Sequence, residues 1–322
     1  MSLSLKSASD FDEKTVRLLM ALQYELPLTT TPLSDLAEMT GLNEEFVFKR
    51  VREFYEDGTV KRYGANLNYR AFSREQRAAL IAAKVEESRI EEVARIINSY
   101  RPKHNYWRDA EYNVWFTLKA GDFEAVERLA REVIEKCRIK EYVVLPTKRV
   151  YKMDVKYDLL KGISWSEKSE EKFDVPKVEE LGLDKIMLRK LERLEVVDRP
   201  FLRFKEYGYS EEEVVDLISE LIELGVVRDF SGVLKERKVG FCENGMNVIR
   251  TGEPEKLAKK LAKRPEITHL VERVVPEEWP YPIYFMVHAV TRDLIENVKS
   301  EVSKMSEVEE IRVLYSVKDL MS

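Results

Sequence analysis

The chain repeats itself, and that repeat limits the folds open to it more than any other feature. Gly58 is matched by Gly225 and Arg70 by Arg237, each pair 167 residues apart; His104 is matched by His269 and Arg108 by Arg273, each pair 165 apart. Four matches at nearly one offset mean that a whole module has been duplicated. Each copy must bury its own apolar faces or cover them with the other copy.

The module can be read from its first half. Val16, Leu18, Leu19 and Leu22 recur on a helical period over 11–26. The stretch TPLSDLAEMTG predicts a short second helix, entered through a proline and a serine cap and closed at Gly41. LNEEFVFKRVREFYEDG predicts a third, with Asn43 as N-cap and Gly58 as its stop. TVKRYGANLNY then reads as a two-stranded wing, which makes the unit a winged helix-turn-helix. RAALIAAKVE is a strand. Helix 89–100 carries Ile90, Val93, Ile96 and Ile97, and strands 103–108 and 111–118 form a hairpin. Helix 122–137 and the strand KEYVVLP complete a βαββαβ order, that of a small ferredoxin-like domain.

The expected fold class is therefore α+β, a tandem duplication of winged helix-turn-helix plus ferredoxin-like βαββαβ domain. The expected boundaries are 1–70 and 71–151 for the first copy, a polar linker over 152–182, then 183–237 and 238–322 for the second. Sheets of this type pair face to face, and here the pair can form within one chain. The expected assembly is a monomer with an internal pseudo-dimer, or a homodimer.

A helix-turn-helix suggests DNA, but a fold does not set a function. Net charge is −5, against the usual basic balance of a phosphate-gripping protein. The first third helix, 43–56, holds Glu44, Glu45, Glu53 and Glu56 against Lys49, Arg50 and Arg52. Its counterpart, 210–224, holds six acids (Glu211, Glu212, Glu213, Asp216, Glu220, Glu223) and no base. Such a helix repels a phosphate backbone. DNA remains open only through the first unit, by way of Lys49, Arg50, Lys61 and Arg62. The two cysteines, Cys137 and Cys242, form no CxxC or Cys/His cluster, and are expected to be reduced and mostly buried. With no apolar leader and no run of 18 apolar residues, the chain is expected to be cytoplasmic, without a membrane partner.

All three histidines, His104, His269 and His288, fall on the predicted hairpins. In a strand, residues two and four apart share a face, so His104, Tyr106 and Arg108 point the same way, as do His269 and Arg273. An arginine can fix a carboxylate while an imidazole beside it moves a proton. The partner strands are aromatic: Tyr112, Trp115 and Phe116 in one copy, Trp279, Tyr281, Tyr284 and Phe285 in the other. Such residues are usually core, yet one face of them could line a flat apolar ligand.

At these residues the chain resembles the siroheme decarboxylases, whose subunits are built like Lrp/AsnC regulators. HNYWRDAEYNVWFTL is similar to that family's first hairpin, EEWPYPIYFMVHA to its second, and RVLYSVKDL to its ending. The order of the modules suggests both subunit types fused in one chain. The resemblance implies a substrate, siroheme, two of whose acetate side chains lose CO2 to give didecarboxysiroheme on an alternative haem route. No cofactor beyond the iron of that tetrapyrrole is implied, and no metal held by protein alone. His104 and His269 would be catalytic, either as acid or as a ligand of the haem iron. Arg108, Arg273, Arg70 and Arg237 would meet carboxylates, with Tyr106, Tyr112, Trp115, Tyr281 and His288 around the ring. The second copy departs from the family pattern at THLVER, where Leu270 and Val271 replace cysteine and tyrosine. The alternative is an Lrp/AsnC-type transcriptional regulator that senses a tetrapyrrole or another small effector.

Overall fold

A computed structural model describes residues 11–72, 77–168 and 174–321. Its helices are α1 (Glu13–Tyr24), α2 (Pro32–Thr40), α3 (Glu44–Asp57), α4 (Ile90–Ser99), α5 (Phe123–Lys136), α6 (Lys185–Leu191), α7 (Glu211–Leu224), α8 (Pro254–Leu261) and α9 (Arg292–Val302). Its strands are β1 (Val60–Leu67), β2 (Arg77–Lys84), β3 (Asn105–Arg108), β4 (Val114–Ala120), β5 (Glu141–Met153), β6 (Tyr157–Asp158), β7 (Ile163–Ser164), β8 (Val227–Leu234), β9 (Glu243–Arg250), β10 (His269–Arg273), β11 (Ile283–Ala289) and β12 (Glu310–Asp319).

Two compact units result, and each draws like parts from both copies of the repeat. One comprises Met1–Ser73, Lys156–Gly162 and Lys172–Phe241; the other comprises Arg74–Val155, Ile163–Glu171 and Cys242–Ser322. The first holds both helix-turn-helix elements and the second both βαββαβ elements. The segment expected as a linker is divided between the two.

In the helical unit, local chemistry sets the boundaries. Asp12 caps α1 and Asn43 caps α3, each side chain accepting a first-turn amide hydrogen. The cap of α2 is Thr31, with Pro32 in the first turn; Ser34, expected as the cap, lies inside the helix and donates to Glu44. Gly58 and Gly225 close α3 and α7 at φ of 76° and 79°, where a Cβ is penalised, and this explains the match between them. In the second copy a 3-10 helix, Leu202–Tyr207, stands in place of the middle helix. The expected two-stranded wing is one strand per copy. After β1 the Asn68 side chain accepts from Arg70 N and turns the chain into a 3-10 helix, so no return strand forms. The open edge of β1 is satisfied by β8 instead, antiparallel, with Tyr63 opposite Gly232. Gly64 permits α6 to approach this ribbon: a Cβ there would lie 2.2 Å from the Leu191 carbonyl.

In the sheet unit every strand pair is antiparallel. Pairing runs β10–β5–β2–β4–β3–β12–β9–β11, and β11 pairs again with β10. Eight strands thus form a closed ring with no free edge. The copies are joined twice, by β5 against β10 and by β12 against β3. Outside the ring, α4 and α5 cover one apolar cluster that includes Ile81, Val93, Phe116 and Val133. On the second copy's outer side a cluster of Leu257, Phe285, Ile295 and Val298 brings in α8 and α9. Inside it, residues of both copies form a third cluster, including Leu80, Trp115, Leu145, Met246, Trp279, Tyr284 and Leu314. The expected pairing of two sheets within one chain is what closes the ring.

Candidate active site

The strand alternation carries the histidines and arginines inward. Tyr106 lies opposite Trp115, whose side chain is in the inner cluster, so His104, Tyr106 and Arg108 face the ring interior. His104 stands one residue before β3; its backbone N donates to Thr117 Oγ1 at 3.1 Å, and its carbonyl accepts from Thr117 N. The His104 ring stacks on Tyr106 at 6.1 Å and 26°, and the Arg108 guanidinium lies 5.3 Å from the same ring. The expected shared face is therefore present. On β10, His269 lies opposite Met286, and Arg273 lies 5.1 Å from the Tyr284 ring.

Each arginine reaches the closing strand of the other copy. Arg108 Nη1 donates to the Leu314 carbonyl at 2.7 Å. Arg273 Nη1 donates to the Leu145 carbonyl at 3.1 Å and to Thr147 Oγ1 at 3.2 Å. Arg108 is 4% exposed, and the Nε of both arginines is buried with no hydrogen-bond partner among the described residues. No carboxylate among those residues forms an ion pair with either. Burial lowers both guanidiniums to about 10, so they stay charged at neutral pH.

The same interior depresses His269, to about 3. Burial is the main cause, followed by the positive charges of Arg273, Lys103, His104 and His288. All three histidines thus share one electropositive environment. His288 leaves β11 beside Asn244, whose Nδ2 is 3.1 Å from His288 Nε2. Its backbone N donates to Ser164 Oγ at 3.1 Å. Arg108 Nη1 lies 3.5 Å from Asn244 Oδ1.

Other expected site residues lie elsewhere. Trp115 is 1% exposed and Tyr281 3%, and they belong to the inner core, not to an open wall. Trp115 Nε1 donates to the Tyr112 carbonyl, and the Trp279 ring packs on Trp115, Tyr112 and Tyr281 at 5.6, 5.3 and 5.0 Å. Both faces of the aromatic strands are core, because ring closure buries the inner face and helices bury the outer one. Arg70 and Arg237 stand at matching 3-10 turns of the helical unit, outside the unit that carries the histidines. Cys137 is buried as expected, but Cys242 is exposed. Asn244, Lys103 and Ser164 went unread in the sequence; only the strand register shows Asn244 opposite His288.

Among the described residues no cluster of three His, Cys, Asp or Glu could hold a metal ion, and no helix is long and apolar enough to cross a membrane. Residues 76–152 and 238–321 match the AsnC-like ligand binding domain, and residues 16–60 match the siroheme decarboxylase NirDL-like HTH domain. The NirD subunit of siroheme decarboxylase from Pseudomonas aeruginosa is 33% identical over 149 residues, 46% of this chain and 97% of that subunit. The chain belongs to the siroheme decarboxylase family. A siroheme decarboxylase from Hydrogenobacter thermophilus is 29% identical over 94% of this chain and 91% of its own length. Among solved structures, a siroheme decarboxylase NirDL in co-complex with an iron-uroporphyrin III analogue matches at TM-score 0.62 and 27% identity. That match covers 96% of this chain and 92% of the other. As in that NirDL, the one chain spans both halves that separate NirD-type subunits cover only singly.

Proposed function

We propose that this chain decarboxylates siroheme, converting two acetate side chains to methyls. The observation that carries this reading is the ring interior: the Arg108 and Arg273 guanidiniums form no ion pair with a carboxylate among the described residues, and His269 lies beside Arg273. Buried charge without a counter-charge is costly. A ligand with many carboxylates supplies that counter-charge, and the NirDL structure with an iron-uroporphyrin III analogue gives a precedent for an iron tetrapyrrole.

In the reaction the bond between the acetate CH2 and its carboxylate breaks. The electron pair stays with the CH2 carbon, where the conjugated macrocycle stabilises it, CO2 departs, and a proton converts CH2 to CH3. His269 is neutral in the empty site because burial, and after it the surrounding cations, disfavour its charged form. Carboxylates arriving beside it reverse that bias and favour the imidazolium. His269 and the more exposed His104 are then the proton donors, while Arg108 and Arg273 hold carboxylates and keep them ionised. The inner core is filled by Trp115, Trp279 and Tyr284, so the macrocycle sits at the open end marked by His104.

The charges of the helical unit weigh against the regulator. Of the four bases expected to meet DNA, Arg50 pairs with Glu53, Lys61 with Glu236 and Arg62 with Glu192, while Lys49 is exposed. On α7, Glu212, Glu213, Asp216, Glu220 and Glu223 are exposed, with no base among them. Anaerobic incubation with siroheme followed by mass spectrometry tests the proposal: loss of two CO2 per molecule supports it, and an unchanged mass refutes it.

A further inference from the structure

Asn244 lies between a group that can only donate and a histidine that can do either. Arg108 Nη1 is 3.5 Å from its Oδ1, and its Nδ2 is 3.1 Å from His288 Nε2. A guanidinium has five N–H donors and no acceptor, so the amide must turn its oxygen toward Arg108. The amide NH2 then faces the imidazole. Nε2 must accept, and the neutral ring carries its proton on Nδ1.

The arrangement is built and one-sided. Ser164 Oγ accepts from the His288 backbone N, fixing the strand where the ring departs. Arg108 is anchored by the Leu314 carbonyl, so the donor that orients Asn244 is itself held. In the first copy the same register places Ala78 opposite Lys119, where the second places Asn244 opposite His288. Alanine can orient nothing, and lysine has no tautomers.

We infer that Asn244 is a positioning residue that locks His288 in its Nδ1–H form, with Arg108 setting the direction of the amide. The tautomer is independent of any substrate. Its consequence for turnover rests on the decarboxylase reading: the nitrogen of His288 that carries a proton toward a carboxylated ligand is Nδ1, and this holds only at the second copy's end of the site.

With three histidines in the chain, nitrogen-15 NMR of the histidine-labelled protein resolves each ring, and His288→Gln assigns the third. The expected wild-type pattern for His288 near pH 7.5 is Nδ1–H. Asn244→Asp places an acceptor-only carboxylate against Nε2, so Nε2 must become protonated, as the Nε2–H tautomer or as the imidazolium. Asn244→Ala, which asks less of the fold, should abolish the single Nδ1–H state. An Nε2–H pattern in the wild type, or an Nδ1–H pattern that survives both substitutions, overturns the assignment. In siroheme turnover Asn244→Asp should lower kcat by roughly tenfold or more with little change in KM; an unchanged kcat overturns the positioning role. A wild type that shows Nδ1–H yet leaves siroheme intact would refute the decarboxylase reading and leave the tautomer standing.

Discussion

Arg108 and Leu314 are 206 residues apart in sequence, yet the Arg108 guanidinium donates to the Leu314 carbonyl at 2.7 Å. Arg273 makes the same cross-copy bond to the Leu145 carbonyl. The duplicated arginines therefore do two things: they tie one copy to the other, and they charge the interior. Arg108→Met keeps an unbranched apolar stem but removes both. It should cost about 2 kcal/mol of unfolding free energy, since the Leu314 carbonyl loses a charged donor. It should also weaken binding of an iron-uroporphyrin analogue by about tenfold or more, because a carboxylate partner is gone. Denaturant titration and an absorbance binding curve check the two effects separately.

His269 makes stability depend on pH. Its folded value, about 3, lies below the unfolded value of about 6.5, so the unfolded state binds more protons between those limits. Stability contributed by the neutral ring is present above pH 6.5 and is lost as pH falls toward 3. Between pH 7 and pH 5 the ligand-free protein should lose about 1–2 kcal/mol from this group. His269→Gln should flatten that slope, and a bound polycarboxylate should flatten it too. Urea unfolding at both pH values measures each case.

Trp115 distinguishes a core from a ligand wall. It is fully buried and shares the inner cluster with Trp279 and Tyr284. Trp115→Ala should therefore cost about 3–5 kcal/mol through the cavity it leaves. A ligand-lining residue would instead lose affinity with little change in the denaturation midpoint of the empty protein.

Charge predicts the behaviour toward DNA. With the α7 acids exposed and Arg50, Lys61 and Arg62 paired with acids, a duplex probe at physiological salt should bind no tighter than the non-specific range, about 10⁻⁴–10⁻⁶ M. Fluorescence anisotropy across a salt series would show it, and nanomolar binding to any duplex would restore the regulator.

The sequence disclosed the module well and the pairing of modules poorly. Gly58, Gly225 and Asn43 act locally, so the helices they bound could be read directly. The shared face of His104, Tyr106 and Arg108 followed from strand alternation and holds in the ring. Exchange of β1 with β8, and the junctions β5–β10 and β12–β3, depend on long-range register that neither copy encodes alone. The carbonyl partners of Arg108 and Arg273 are backbone atoms and leave no residue-type signal. The burial of Trp115 was not legible either: period-two alternation leaves one face exposed, and a closed ring covered by helices has no exposed face.

On the proposed function, the His and Arg pairs of both copies serve one interior that acts on siroheme. Counting CO2 released per siroheme by the wild type, His104→Ala, His269→Ala and the double variant under anaerobic conditions tests it most directly. Two CO2 from the wild type are expected, with the double variant still binding an iron tetrapyrrole but releasing none. No CO2 from the wild type, or wild-type release by the double variant, would contradict it.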